Sequence, residues 1–405
     1  MKVVVINSGS SSVKYEVFER SDFSVLSSGL LERIGESESR HVHRAYGPSG
    51  AVKETVRQGR VANHEEGFRF ILSMPADSPV IKNSAEILGI GHRVVHGGEA
   101  FREPALIDEK VMETIRELIP LAPLHNPANL LGIEATRQVF PGVPQVAVFD
   151  TAFHQSMPPH AFIYALPYSF YALHHVRRYG FHGTSHLWVA KKAAAHLGKP
   201  LASLNLISFH LGNGASAAAI RQGLSVDTSM GMTPLEGFVM GTRSGDLDPA
   251  IPFYLKRVTG LAYAELEALL NKGSGLKGIG GANDMREILQ MAHRGDAQAQ
   301  LALELYCYRV KKYLGAYTAV LGRVDAIVFT GGIGENAALI RKQCCQGLEV
   351  LGITVDDVKN ERTYEEVMEI QREGAPVKVL AVRTNEEREI AQQTLSAIKK
   401  ARGEQ

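Results

Sequence analysis

The stretch Lys2–Phe18, KVVVINSGSSSVKYEVF, consists of an apolar run, a loop of small residues and an alternating run. This pattern predicts a buried strand and a half-buried strand joined by a glycine–serine loop. The same plan returns at Asn205–Ile220, NLISFHLGNGASAAAI, where the loop is His210–Ala215. A third short run follows each pair, at Val25–Leu31 and at Leu224–Val226. The repetition predicts a chain of two similar halves.

Both small-residue loops offer backbone N–H groups to an anion. In the first copy, Asn7–Ser12 adds hydroxyl groups, and Lys14 lies two residues beyond the loop. Either loop alone is a weak signal, because most such loops are turns. Facing a shared cleft as a pair, they would hold the phosphates of a nucleotide from both sides.

Between residues 227 and 249 the chain reads DTSMGMTPLEGFVMGTRSGDLDP, with neither a helical nor a strand period. Apolar side chains alternate there with aspartates, threonines and one arginine, a mixture typical of the wall of a cleft. A surface loop is the alternative. In a cleft wall, Arg243 would present a rigid guanidinium fork to a carboxylate or a phosphate.

The composition is that of an ordinary globular protein of 405 residues, 45% hydrophobic and 21% charged, and this length makes two domains the default. The formal net charge of +1 argues against a nucleic-acid or polyanion surface. Three cysteines without a CxxC motif suit a reducing compartment. Since no leader-like or membrane-length apolar run is present, we expect a cytoplasmic protein that binds neither nucleic acid nor membrane.

A third glycine cluster follows the apolar run Val324–Phe329 and precedes a predicted helix near Asn336–Gln343. Its GIGENA sequence (Gly332–Ala337) matches the G-x-G-x-x-A fingerprint of dinucleotide-binding domains, with Asp356 predicted to end a strand further on. Too little chain remains for a full dinucleotide domain, and the other two loops would stay unexplained. A helix amino terminus over a nucleotide phosphate or ribose accounts for all three.

Local patterns also predict helix ends and faces. Asp108 is expected to cap a helix whose apolar face includes Ile115. Thr384, with Glu387 three residues on, is the predicted N-cap of the last helix. The range Leu303–Leu321 carries apolar residues at spacings of 3, 4, 4, 3 and 4, which predicts the buried face of one long helix.

Several catalytic motifs are absent or incomplete. His182 and His186 have the spacing of zinc ligands but lack the HExxH glutamate, which favours structural or substrate-contacting histidines. There is no P-loop, protein-kinase or GxSxG motif. Cys344 and Cys345 predict a buried or idle pair rather than a redox site. By contrast, a predicted strand ends at Asp150, where a carboxylate can project into a cleft.

Nine motifs, in order and over essentially the whole chain, resemble those of the acetate kinase family. They are NSGSSSVK (Asn7–Lys14), GHRVVHGGE (Gly91–Glu99), APLHNP (Ala122–Pro127), VAVFDTAFH (Val146–His154), RRYGFHGTSH (Arg177–His186), HLGNGAS (His210–Ser216), the segment 227–249, FTGGIGENA (Phe329–Ala337) and TNEE (Thr384–Glu387).

The fold implied by this resemblance is α/β and belongs to the acetate and sugar kinase, heat-shock chaperone and actin superfamily. It has two duplicated ribonuclease-H-like (actin-like ATPase) domains with an interdomain active-site cleft. The N-terminal α/β domain would span residues 1–150, completed by a C-terminal helix over 386–405. The C-terminal α/β nucleotide-binding domain would span 151–385.

The activity implied is reversible, Mg²⁺-dependent phosphoryl transfer between ATP and acetate, giving acetyl phosphate and ADP by direct in-line transfer. Mn²⁺ could replace Mg²⁺, and a homodimer is implied. By matching motif, the catalytic residues would be Asp150, His182, Arg243 and Arg93. The substrate would contact Arg93 through its carboxylate, and its methyl group would contact Val95, Leu124, Phe181 and Pro234. Asn7 and Glu386 would position the metal ion, directly or through water.

The resemblance also implies the nucleotide contacts. The phosphates would be held by Lys14, His210, Leu211, Gly212, Asn213 and Gly214. The nucleoside would be held by Asp284, Met285, Arg286, Gly332, Ile333, Gly334, Glu335 and Asn336. Asp150 ranks as metal-orienting before acid–base, because a carboxylate substrate is already a nucleophile at neutral pH.

Two departures from the family pattern and three other interpretations stay open. Gly281-Ala282 replaces a commoner serine, and Arg383 stands where the family often has proline. A propionate or butyrate kinase of the same fold is the main alternative. A nucleotide-driven chaperone or filament protein would leave Arg93, His182 and Arg243 without a role, and an NAD-dependent dehydrogenase ranks last.

Overall fold

The computed structural model describes residues 1–47, 50–72 and 84–404 of the chain. It divides into two compact units. The first unit comprises Met1–Ala152 and Asn385–Gln405, and the second unit comprises Phe153–Thr384. Each unit contains one sheet flanked by helices, so each is an α/β structure with its own core.

The strands of the first unit form a single sheet. They are β1 (Lys2–Ser8), β2 (Ser12–Glu19), β3 (Val25–Glu32), β4 (Ser39–Tyr46), β5 (Val52–Gly59), β6 (Ile87–Val94), β7 (Ala105–Leu106) and β8 (Gln145–Phe149). Their order across the sheet is β5-β4-β3-β2-β1-β6-β8-β7. β1 pairs antiparallel with β2 and parallel with β6, and β6 pairs parallel with β8.

The strands of the second unit repeat this plan. They are β9 (Asn205–Leu211), β10 (Ala215–Arg221), β11 (Leu224–Thr228), β12 (Ala326–Thr330), β13 (Val367–Glu369) and β14 (Lys378–Val382), in the order β11-β10-β9-β12-β14-β13. β9 pairs antiparallel with β10 and parallel with β12, and β12 pairs parallel with β14. The core β3-β2-β1-β6-β8 therefore matches β11-β10-β9-β12-β14 in order and direction. The duplication predicted from the two strand–loop–strand stretches is confirmed.

The helices of the described residues cover both units. They are α1 (His64–Leu72), α2 (Glu109–Glu117), α3 (Asn126–Val139), α4 (Pro159–Phe162), α5 (Tyr168–His174), α6 (Gly183–His196), α7 (Ile251–Thr259), α8 (Tyr263–Lys272), α9 (Gly275–Gly280), α10 (Met285–His293), α11 (Ala297–Leu321), α12 (Gly331–Asn336), α13 (Ala338–Cys345), α14 (Asp357–Asn360) and α15 (Glu386–Arg402). Short 3₁₀ turns lie at Ser84–Glu86, Ile119–Leu121, Ala152–Ser156, Leu201–Ser203 and Glu349–Leu351. Among these described helices, none combines the length and apolarity needed to cross a membrane.

Helix α15 completes the first unit because its apolar side packs on the parallel strands. Ile390 and Ile398 join the core that includes Val3 and Val148. The helix lies close enough that a Cβ on Gly89 would stand 2.2 Å from Ile398 Cδ1. A side chain at position 89 would therefore fit only if Ile398 shifted, which favours glycine at this point of β6.

Two sequence predictions about helices are confirmed. Asp108 caps α2 and accepts a hydrogen bond from Val111 N. The predicted apolar stripe on α11 is buried along its whole length, from Leu303 to Leu321. Cys344 and Cys345 are also buried and free, as expected of a pair without a redox role.

The helix predicted near Asn336–Gln343 is confirmed as α13, to within two residues at each end, and the short helix α12 precedes it. Two local predictions are wrong. Asp356 does not end a strand but caps α14, accepting from Lys359 N, and this removes an element that the dinucleotide fingerprint requires. The N-cap of α15 is Asn385, which accepts from Arg388 N, rather than Thr384. Asparagine and threonine are both good caps, so sequence alone places this helix start only to within a residue.

Candidate active site

Four polar residues of the first unit cluster at the carboxyl ends of its parallel strands. Asn7 lies near the end of β1, Arg93 near the end of β6, and Asp150 directly follows β8. The register aligns Ile6 with His92 and Arg93 with Val148, so these residues stand on the same edge. Glu386 begins α15, which packs on the same strands. We call these four residues the first-unit edge.

A bidentate ion pair organises the first-unit edge. Arg93 donates from Nε to Asp150 Oδ1 at 3.1 Å and from Nη2 to Asp150 Oδ2 at 2.5 Å. Arg93 Nε also lies 3.9 Å from Glu386 Oε2. Burial lowers the pKa of Arg93, but Asp150 and Glu386 together outweigh burial and raise it. The guanidinium is therefore held in place with two carboxylates beside it.

The carboxyl group of Glu386, at the same edge, has a raised pKa. Burial raises its pKa to about 7, Arg93 opposes the shift, and the nearby carboxylates of Asp150 and Glu387 add to it. Carboxylates this close favour a cation between them, since a cation relieves their repulsion. Within the described residues, no three His, Cys, Asp or Glu side chains form a metal-binding group. The oxygen donors of Asn7, Asp150 and Glu386 suit Mg²⁺, which keeps several waters and needs few protein ligands.

Lys14 lies on β2 of the first unit and has a carboxylate partner. Its ammonium group forms an ion pair with Glu387, the second residue of α15. Burial lowers the pKa of Lys14, but Glu387, Glu16 and Glu386 together outweigh burial and raise it. Glu16 lies nearby, and burial raises the pKa of its carboxyl group to about 7, with Glu387 adding to the shift. A phosphate reaching Lys14 would meet an ammonium already paired.

Three polar side chains that the sequence analysis did not single out hold the backbone next to the first-unit edge, at Ser8 and at residues 95–97. Asn129 donates to Ser8 O at 3.0 Å and accepts from Val95 N at 3.1 Å. Asn126 accepts from His96 N at 3.2 Å and donates to His96 O at 3.1 Å. Thr151 Oγ1 accepts from Gly97 N at 3.0 Å. Asn126 lies in the APLHNP motif, which was the available sequence signal.

In the second unit, the glycine loops lie at the carboxyl ends of the parallel strands β9 and β12. The loop Gly212–Gly214 follows β9, and helix α12 begins immediately after β12. A Cβ on Gly331 would stand 2.8 Å from Leu211 O, so the two loops are in close contact. Glu335 accepts from Gly331 N at 3.0 Å and from Thr384 N at 2.9 Å. The Glu335 carboxylate is therefore committed to joining the ends of two strands.

His182 precedes α6 with a left-handed backbone, φ 57°. Its ring stacks on His210 with centroids 4.3 Å apart. Its Nδ1 lies 2.9 Å from Ser216 Oγ, which is also 2.8 Å from His186 Nε2. Burial lowers the pKa of His186 well below its usual value, so this histidine stays neutral. The two i,i+4 histidines therefore share one serine hydroxyl as a hydrogen-bond partner.

Arg243 lies in the irregular segment beside His182 and the β9 loop. Its Nη1 donates to Pro234 O at 3.2 Å. A Cβ on Gly214 would stand 3.3 Å from Arg243 Nη1 and 3.6 Å from His182 Nε2, so the three residues converge. In the described part of the chain, no carboxylate pairs with Arg243, and burial lowers the pKa of its guanidinium. A half-buried cation without a counter-ion is suited to receive an anionic ligand.

The other residues predicted to bind the nucleotide lie in the loop after β9, at the start of α10 and in α12. Gly241 N donates to Asn213 O at 3.0 Å, which ties the irregular segment to the β9 loop. Asp284 caps α10, accepts from Arg286 N at 2.8 Å and pairs with the Arg286 guanidinium at 2.6 Å. Met285 is buried, so its side chain is part of the core. Arg286 and Gly332 are exposed and accessible to a ligand.

The four residues predicted to contact a methyl group are distributed over both units. Val95 in the first unit is 8% exposed, whereas Leu124 in the same unit is 71% exposed. In the second unit, Phe181 is 3% exposed and Pro234 is half-buried. Phe181 O lies 3.0 Å from His154 Nε2.

A family model and the curated relatives of this chain both point to the same family. The model of the acetokinase family matches residues 2–392. A curated acetate kinase from Syntrophobacter fumaroxidans is 59% identical over 402 residues, covering 99% of this chain and 98% of the relative.

Solved structures give the same picture. The crystal structure of Porphyromonas gingivalis acetate kinase has a TM-score of 0.93 at 45% identity, covering 98% of this chain and 100% of that one. A propionate kinase from Francisella tularensis subsp. tularensis SCHU S4 has a TM-score of 0.90 at 42% identity, covering 98% of this chain and 99% of that one.

Proposed function

Because the chain belongs to the acetokinase family, we propose that it transfers the γ-phosphoryl group of ATP to acetate, giving acetyl phosphate and ADP, and catalyses the reverse reaction. The observation that carries this function is the convergence of Arg243, His182 and Gly214. There, a guanidinium that has no carboxylate partner among the described residues lies beside a glycine loop at a strand end. Phosphoryl transfer needs alignment and positive charge more than covalent help from the protein.

In the proposed reaction, an oxygen of the acetate carboxylate attacks the γ-phosphorus as the bond to the bridging oxygen of ADP breaks. Arg243 and His182 donate hydrogen bonds to the equatorial oxygens of the moving phosphoryl group. Their role is electrostatic, because charge on those oxygens is the feature that they can stabilise. No general base is required, since acetate is ionised at neutral pH.

The first-unit edge binds and orients the other reactants. Arg93, held by Asp150, presents its remaining N–H donors to the acetate carboxylate. Asn7 and Glu386 position Mg²⁺ or Mn²⁺, and Asp150 orients the ion in preference to acting as an acid or base. The ion, when bound, neutralises phosphate charge.

The two units would divide the work between them. We assign nucleotide binding to the second unit, with the phosphates at His210–Gly214 and the nucleoside between Asp284–Arg286 and Gly332–Asn336. Lys14 of the first unit would contact phosphate only after exchanging its Glu387 partner. Glu335 contributes by fixing its loop.

Acetate is the proposed acceptor, and propionate is the second candidate because a propionate kinase is a close structural neighbour. We propose that Val95, Leu124, Phe181 and Pro234 contact the acetate methyl group. Burial of Val95 and Phe181 gives two stiff apolar surfaces. We further propose that the enzyme is a cytoplasmic homodimer, as the resemblance to its family implies.

Hydroxamate formation tests this function. The purified enzyme is incubated with Mg-ATP, hydroxylamine and either acetate, propionate or butyrate, and the acyl hydroxamate is quantified. We expect the highest kcat/KM with acetate, a lower value with propionate and the lowest with butyrate. A preference for propionate would make the second candidate correct, and no product with any acid would contradict a kinase that phosphorylates carboxylates.

A further inference from the structure

The irregular segment between residues 227 and 249 needs an external support. Only its first two residues belong to a strand, β11. Such a chain lacks the hydrogen bonds that a sheet or helix supplies, so other groups must hold its backbone. Because the segment carries Pro234 and Arg243, whatever holds it also determines where these residues stand.

Arg178 is the side chain that holds the start of the segment, beside backbone hydrogen bonds such as that from Ser244 N to Leu270 O at 3.0 Å. Its Nη1 donates to Thr228 O at 2.7 Å and to Ser229 O at 3.1 Å. Its Nη2 donates to Glu236 Oε1 at 2.5 Å. One guanidinium therefore ties Thr228, the end of β11, to Glu236, eight positions further along the segment.

Tyr164 completes the cluster from the other side of Glu236. Its hydroxyl donates to Glu236 Oε2 and accepts from Met232 N at 3.0 Å. The Glu236 carboxylate approaches the backbone so closely that a Cβ on Gly231 would stand 1.8 Å from Oε2. Glycine at 231 is therefore required for this contact.

A second closure secures the part of the segment that contains Arg243. Asp246 accepts from Gly237 N at 2.7 Å and from the hydroxyl of Tyr313 at 2.7 Å. Tyr313 lies on α11, whose apolar face is buried. The loop from Gly237 to Asp246 is thus anchored to a rigid helix at one end and to the Glu236 cluster at the other.

We propose that Arg178, Glu236 and Tyr164 form a positioning element for catalysis that acts through Arg243. Glu236 lies two residues after Pro234, whose carbonyl accepts from Arg243 Nη1 at 3.2 Å. The cluster thereby sets the place of the guanidinium without supplying a group to the reaction. This inference rests on the proposed function, in which Arg243 stabilises the transferred phosphoryl group.

Two variants test the positioning role. Tyr164→Phe removes a single hydroxyl and leaves Met232 N and Glu236 without that partner. Glu236→Gln keeps the side-chain volume and removes the charge that Arg178 contacts. We expect either variant to lower kcat about tenfold with the ATP KM within about twofold, because small misplacements of a catalytic group are costly. If Tyr164→Phe does not fold, the result for Glu236→Gln provides the test.

Matched controls are available in the second unit. Tyr308→Phe removes the hydroxyl of an exposed tyrosine on α11. Glu366→Gln neutralises a surface partner of Lys192. Both should leave kcat unchanged, since neither residue contacts the irregular segment in any hydrogen bond or ion pair of the described structure.

A double-mutant cycle separates positioning from simple stabilisation. In an Arg243→Ala background, Tyr164→Phe should lower kcat by less than about twofold, because the group through which it acts is gone. An undiminished tenfold loss in that background would overturn the inference, as would unchanged kcat in both single variants of an active enzyme. A wild type that forms no acyl phosphate from ATP and acetate would overturn the proposed function and this inference with it.

Discussion

The guanidinium of Arg243 stands 3.3 Å from the point that a Cβ on Gly214 would occupy, and His182 Nε2 stands 3.6 Å from the same point. Gly214→Ala should therefore place a methyl group against both of the residues that we propose to contact the phosphoryl group, and displace Arg243. We expect kcat to fall by at least about tenfold, since misplacing a catalytic group by a fraction of an ångström weakens its contact with the transition state. Steady-state kinetics with saturating ATP and acetate give the result.

Gly315→Ala is the matched control for this substitution. Gly315 lies within α11, and a Cβ there would meet nothing within 4 Å. Alanine is favoured over glycine in a helix, so this variant should gain about 0.5–1 kcal/mol in stability and keep its kcat. If both alanine variants kept full activity, the space beside Gly214 would not be the phosphoryl site.

Stability should fall with acid because several histidines are buried as neutral rings. His41 on β4 has its Nε2 3.1 Å from the hydroxyl of Tyr15, which is also 2.6 Å from His43 Nδ1. Burial lowers the pKa of His41 to about 4, and His43 and Arg57 add to the shift. An unfolded histidine titrates near pH 6.5, so the stability due to neutral His41 is complete above pH 6.5 and is lost as the pH falls towards 4.

The corresponding test compares urea unfolding of wild type and His41→Gln across this pH range. Removing one such group should reduce the slope of the unfolding free energy against pH by up to about 1.4 kcal/mol per pH unit. The buried His92 and His96 remain in both proteins, so the difference between the two slopes isolates His41. Equal slopes would show that His41 is protonated equally in the folded and unfolded states.

The preference for acetate over larger acids should depend in part on the side chain of Val95, which is 8% exposed. Val95→Ala removes two methyl groups and should raise kcat/KM for propionate relative to acetate. Because one methylene in an apolar pocket is worth only about 1–3 kcal/mol, propionate should be a slow substrate of the wild type. An unchanged acetate-to-propionate ratio in Val95→Ala would contradict the assignment of Val95 to the methyl pocket.

The sequence predicts those parts of the fold that depend on local pattern. The strand–loop–strand repeat predicts the first two strands of each sheet, at Lys2–Phe18 and Asn205–Ile220. It does so because a fully buried strand is apolar throughout and a half-buried strand alternates apolar and polar residues. The stripe on α11 predicts its buried face for the same reason. Asp108 is identified as a cap because the backbone N–H that donates to its carboxylate lies only three residues away.

Contacts between distant residues are not predictable in this way. Arg178 and Glu236 are 58 positions apart. Neither the RRYGFHGTSH motif, which contains Arg178, nor the segment 227–249, which contains Glu236, indicates that the two side chains pair. The RRYGFHGTSH motif drew attention to His182, but its serine partner lies 34 positions away on β10. Glu335 matched a nucleotide fingerprint, whereas its carboxylate joins Gly331 to Thr384. Sequence patterns thus identify candidate residues, and the structure identifies the groups that hold them.

Replacing Arg243 tests the central claim most directly. Its guanidinium should stabilise charge mainly in the transition state. Arg243→Ala should therefore raise the activation free energy by roughly 3–4 kcal/mol, which lowers kcat, while the KM for ATP changes little. Arg243→Lys should restore only part of the rate, since an ammonium cannot make two parallel contacts. The measurement is kcat and KM for ATP and acetate in wild type, Arg243→Ala and Arg243→Lys. A fall of several hundredfold in kcat for Arg243→Ala is the predicted result, and a fall of less than about tenfold would contradict the account.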